Sequence, residues 1–105
     1  MSTRLELLKR YLQEDPSDVF LRYALAFEYM SMNKNEIAYE QIEKLLNDEP
    51  EYLAGYSLAG KLSEHFGNIS LAKSWYEKGI ELARFQKNQH TLNELQESLN
   101  LLNEE

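Results

Sequence analysis

A chain of 105 residues with 43 % apolar composition is the size of one domain and can bury one continuous core. Eighteen acids against 11 bases give a net charge of −7, which repels a phosphate backbone and excludes nucleic acid as the expected partner. With no cysteine, disulfides and thiolate metal sites are excluded. Charged residues in the first ten positions, with no long apolar run, predict neither a signal peptide nor a membrane span, and the cytoplasm is the expected compartment. Only four glycines and two prolines, among plentiful Leu, Glu, Lys, Ala and Gln, predict helix throughout.

From Thr3 to Glu14, Leu5, Leu8 and Leu12 together with Leu7 and Tyr11 fall three and four apart, making one broad side of a short helix apolar. Asp15-Pro16 stops it, because a residue before proline is pushed out of the helical region. Ser17 or Asp18 can cap the next helix, which is predicted to run to about Ser31. Phe20, Ala24 and Phe27 lie along one side and Leu21, Leu25 and Tyr29 along another, so this helix is expected between two neighbours. Asn33-Lys34-Asn35 breaks the pattern with residues that tolerate left-handed backbone. A helix from about Glu36 to Asn47 follows, with Ile37, Ala38, Ile42, Leu45 and Leu46 as its inward stripe.

Asp48-Glu49-Pro50 repeats the Glu14-Asp15-Pro16 stop. The next helix is predicted over about Glu51 to Phe66, through Tyr52, Leu53, Tyr56, Ala59, Leu62 and Phe66, and Gly67 suits its C-cap. Ile69 to about Phe85 makes another through Leu71, Ala72, Trp75, Tyr76, Ile80 and Leu82. Gly79 inside it costs about 1 kcal/mol relative to alanine, which points to close approach of the paired helix. The last helix is predicted from about His90 to Leu102, opened by a capping box at Thr91-Leu92-Asn93-Glu94 and carrying one stripe of Leu92, Leu95, Leu99 and Leu102. A helix apolar on one stripe only belongs at an end of a stack.

The segment Val19 to Pro50 returns nearly in step from Leu53 to Arg84, and Leu7–Pro16 (LLKRYLQEDP) matches Gln41–Pro50 (QIEKLLNDEP), 34 residues later. This period, built as helix, turn, helix, resembles the tetratricopeptide repeat. In the first unit Leu25-Ala26, Tyr29, Ala38, Ile42 and Pro50 occupy the pattern's Leu-Gly, Tyr, Ala, Phe and Pro places, with Arg22 where an aromatic is expected. In the second, Tyr56, Ala59-Gly60, Ala72, Tyr76 and Gly79 fit, while Ser63 replaces the Tyr and Arg84 the Pro. The resemblance implies an all-α, right-handed α-solenoid of antiparallel helix pairs, about six helices in all. It divides one domain, 1–105, into a half-repeat helix (3–15), two repeats (17–50 and 51–84) and a C-terminal capping helix (85–105). So few repeats call for good capping or self-association.

The same resemblance implies a protein-interaction module, an adaptor or scaffold that binds an apolar peptide or partner helix in a concave groove. The groove-facing places are Phe20, Tyr23, Phe27 and Met30, then Ser57, Lys61, Glu64 and His65, with Thr91, Leu95 and Ser98 from the last helix. One subtype of the family clamps an acidic C-terminus through Lys and Asn, but Tyr23 and Phe27 stand at those places, so an apolar ligand is expected. The alternative is that flanking helices or a second copy cover these residues. Leu5, Leu8 and Tyr11 face either a homodimer contact or the chain's own first repeat. His65 and His90 stand without a ligand cluster, and glutamate-rich faces are solvated surface, so no enzyme activity, cofactor or metal is expected.

Overall fold

The computed structural model describes residues 3–104. Met1 and Ser2, part of the start read above for a signal peptide, and Glu105, at the end of the expected cap, lie outside the described residues. Among those described there are six helices and no strand: α1 (Arg4–Glu14), α2 (Val19–Ser31), α3 (Asn35–Asp48), α4 (Ala54–His65), α5 (Ile69–Phe85) and α6 (Gln89–Asn103). The chain divides after Pro50 into two compact units of three helices each.

In the first unit Thr3 caps α1, its hydroxyl accepting from the Glu6 amide at 3.1 Å, and Asp18 caps α2, its carboxylate accepting from the Leu21 amide at 3.0 Å. The two proline stops act alike. The amide of Asp15 bonds back to the Tyr11 carbonyl at 2.9 Å and that of Glu49 to the Leu45 carbonyl at 2.7 Å, and each helix ends two residues before its proline. As its two apolar sides require, α2 packs against both α1 and α3. Ala24, Leu25, Ala26 and Tyr29 of α2 are buried, as are Ala38, Ile42, Leu45 and Leu46 of α3. Ile37, assigned above to the inward stripe, is instead exposed, since it lies about 100° round the helix from Ala38, to one side of the face that Ala38, Ile42 and Leu45 share.

In the second unit α5 packs between α4 and α6. Gly60 and Gly79 permit this: a Cβ on Gly60 would stand 2.3 Å from the Tyr76 ring, and one on Gly79 would meet Leu95 at 2.8 Å and the Tyr56 Cβ at 2.9 Å. Leu53, Ala72, Tyr76, Ile80, Ala83, Leu95, Leu99 and Leu102 form one buried cluster. The single stripe of α6 packs on α5, as expected for a terminal helix.

Two starts differ from the sequence reading. α4 begins at Ala54, because Tyr52 and Leu53 are spent in a tight turn whose carbonyls accept from the Gly55 and Tyr56 amides at 3.1 and 3.2 Å. Nor does Thr91 open α6: the Asn88 side chain accepts from the Thr91 amide at 3.1 Å, which places Thr91 inside the first turn. Phe66, read as part of the α4 stripe, is exposed just past the helix end.

Candidate functional site

On α2 the apolar positions outnumber what its two neighbours cover. Phe20, Tyr23 and Phe27 are three and four residues apart on one face, and with Ala24 and Arg4 they line an open slot within the first unit. Phe20 is 64 % exposed and Phe27 47 %. The Tyr23 and Phe27 rings lie 6.3 Å apart at 40°, and burial pushes the Tyr23 phenol above its ordinary pKa. Arg4 reaches the slot from α1, its Nε donating to Glu28 Oε1 at 3.2 Å. Met30, three residues beyond Phe27, is half-buried. The surface is apolar with one guanidinium at its edge, a composition suited to holding apolar side chains.

Ser57 and Lys61 belong to a different kind of surface. Within the second unit they line a polar depression between α4 and α6 with Glu94, Glu97, Ser98 and Leu101. Glu64 is engaged by the fold, accepting a hydrogen bond from the buried Tyr76 hydroxyl. Burial first, then this hydrogen bond and the carboxylate's charge, hold the Tyr76 phenol well above its ordinary pKa. His65 is exposed and meets Phe66 edge-on, ring centroids 6.1 Å apart. Thr91 is half-buried, and Leu95, expected at the groove, is in the core. The physical reason is Gly79, whose missing side chain leaves the space that Leu95 fills.

Of the candidates on α1, Leu8 is buried within the chain, Leu5 is half-buried and Tyr11 is 47 % exposed. Three exposed apolar residues escaped the sequence reading: Met32, 41 % exposed just past α2, Phe85, 84 % exposed at the end of α5, and Leu101, 59 % exposed on α6. A signal existed for Leu101. It stands off the Leu95, Leu99, Leu102 stripe, and a leucine off-stripe on a terminal helix has no core to enter.

Among the described residues no group of three or more His, Asp or Glu side chains could hold a metal, and no helix is long and apolar enough to cross a membrane. No protein-family model matches the chain. A TPR repeat-containing protein of Pseudomonas aeruginosa is 28 % identical over 79 residues, 75 % of each chain. The solution structure of a tetratricopeptide repeat domain protein from Salinibacter ruber aligns with a TM-score of 0.80 and 36 % identity, covering 84 % of this chain and 89 % of that one. A Bordetella parapertussis protein aligns with a TM-score of 0.87 over 99 % of this chain and 90 % of its own, at 24 % identity, a likeness of fold alone.

Proposed function

Because the chain belongs to the tetratricopeptide repeat family and has its all-α solenoid fold, we propose that it is a protein-interaction module that holds an apolar peptide or partner helix on α2. In this reading 17–50 and 51–84 are the two repeats, 3–15 is a half-repeat and 85–105 a cap. The anchors are Phe20, Tyr23, Phe27 and Met30, and no step of catalysis is assigned.

The exposure of Phe20 and Phe27 on one helix face carries the reading. Scattered apolar residues are ordinary at a surface, but two phenylalanines flanking a tyrosine on one stripe make a contiguous patch. Covering a phenylalanine contributes about 1.5–3 kcal/mol, so an apolar occupant gains most by covering both. The two rings project from a rigid helix, which lowers the entropy lost on docking.

The test is an amide chemical-shift titration of the isotopically labelled chain with an amphipathic helical peptide that carries leucines on one face. A scrambled peptide of the same composition is the control. Shifts are expected along α2, and Phe20→Ala with Phe27→Ala should weaken binding by about 100-fold, the equivalent of ~2.8 kcal/mol, with helicity intact. Binding that survives the double substitution would show that α2 is not the docking surface.

A further inference from the structure

Two exposed stripes remain once α2 is assigned. On α1, Leu7, Arg10, Tyr11 and Glu14 are spaced three and four apart, and all four are exposed. The match of Leu7–Pro16 to Gln41–Pro50 sets Leu8 against Ile42 and Tyr11 against Leu45. Leu8 and Ile42 are both buried, but Leu45 is fully buried while Tyr11 is not. The same helical pattern is therefore covered in α3 at a place where α1 is bare. On α6 the exposed stripe is Glu94, Glu97 and Leu101, along the depression shared with Lys61 of α4, followed by Glu104 just past the helix, and the helix contains no lysine or arginine.

We propose that the α1 stripe docks on the α6 stripe of a second copy of this chain, Leu7 and Tyr11 against Leu101, and Arg10 against Glu94 and Glu97. Charge complementarity selects this occupant. Chains of net charge −7 repel one another at a distance, so contact between copies needs a local opposite pair. The α1 helix supplies it in Lys9 and Arg10, beside Glu14, while Arg4 is already held by Glu28; α6 carries Glu94 and Glu97 and no arginine or lysine, and one lysine, Lys61 of α4, lines the depression with them. Arg10 and Glu97 make no ion pair among the described residues, so neither must give one up to dock, whereas Glu94 already lies 3.6 Å from His90 Nε2. The exposed leucines and tyrosine add the apolar centre that an ion pair between wet surfaces lacks.

Such a contact joins different surfaces of the two copies, so a pair held by one α1–α6 contact keeps a second α1 and α6 stripe for each other or for further chains. One helix face covers less than the roughly 1,200–2,000 Å² of a stable complex, so the association is weak and depends on concentration. It uses none of the α2 anchors and goes beyond the α2 reading.

The test is sedimentation equilibrium of the whole chain from about 10 μM to about 1 mM, a range that brackets a weak contact. The average mass is expected to rise with concentration above 12.4 kDa, and to fall back in about 0.5 M NaCl. Tyr11→Asp and Leu101→Asp should each stay monomeric, while their equimolar mixture forms a complex that stops at two chains, one intact stripe coming from each. Arg10→Ser, which leaves the apolar residues in place, should shift the mass curve to higher concentration by about tenfold. A wild-type chain that stays monomeric throughout, or a mixture that stays monomeric, overturns the proposal.

Discussion

At Gly60 and Gly79 a hydrogen atom in place of a methyl group decides whether α5 can close on its neighbours. Helix propensity favours alanine at each by about 1 kcal/mol, and overpacking opposes it by about 1–3 kcal/mol. Which term wins depends on the neighbour. At Gly60 the added carbon meets the Tyr76 ring, fully buried and held at its hydroxyl by Glu64, so the ring cannot retreat. At Gly79 it meets the end of Leu95, which can turn, and the Tyr56 Cβ, which cannot. Gly60→Ala should destabilise the chain by about 2 kcal/mol and Gly79→Ala by about 1 kcal/mol, read from urea denaturation midpoints. A Gly60→Ala chain as stable as the parent would mean that Tyr76 has room to move. Ser63 shows the opposite economy: a buried hydroxyl at a place where the family has tyrosine, satisfied by donating to the Ala59 carbonyl at 2.8 Å.

Three of the four connections within the units use the same turn. After α2, α4 and α5 one residue takes left-handed backbone: Asn33 at φ 62°, Gly67 at φ 77° and Lys87 at φ 58°. In each case the amide of that residue and the next bond back into the last helical turn, as Asn33 to Met30 and Lys34 to Tyr29, Gly67 to Glu64 and Asn68 to Ser63, Lys87 to Arg84 and Asn88 to Ala83. Asn68 and Asn88 then cap the following helix through their own side chains, so two residues both end one helix and start the next. Glycine adopts this backbone without penalty and asparagine tolerates it, but a lysine there is strained by about 1–2 kcal/mol. Lys87→Gly should therefore stabilise the chain by about 0.5–1 kcal/mol after glycine's larger entropy loss is subtracted. Thermal unfolding with an unchanged or lower midpoint would show that the Lys87 side chain contributes something the backbone argument omits.

For the whole molecule the net charge of −7 is the long-range term, and it opposes compactness. Against it stand ion pairs that are exposed on at least one side, Arg4 with Glu28 and Arg22 with Asp48 at 2.9 Å, each contributing about 0–1 kcal/mol. Salt screens both, but repulsion summed over 18 acids and 11 bases exceeds two local pairs. Raising NaCl from about 10 to about 200 mM should raise the unfolding midpoint by a few degrees. A fall would mean that the ion pairs outweigh the repulsion.

Helix, stop and pairing are written locally, and for that reason they were readable without the fold. Proline positions set the ends of α1 and α3, small residues at Gly60 and Gly79 announced close packing, and the 34-residue period carried the family resemblance. Side-chain exposure is not local. Tyr11 and Leu45 hold matching places in matching segments, and only tertiary neighbours leave one wet and the other dry. Leu95 and Leu101 lie on one helix, yet the first enters the space at Gly79 and the second stays in water. The sequence by itself determined the elements and the class of fold, because capping and periodicity act within a turn or two of the chain. The tertiary structure alone decided which apolar residues remain on the surface, because burial depends on what another helix brings to that point.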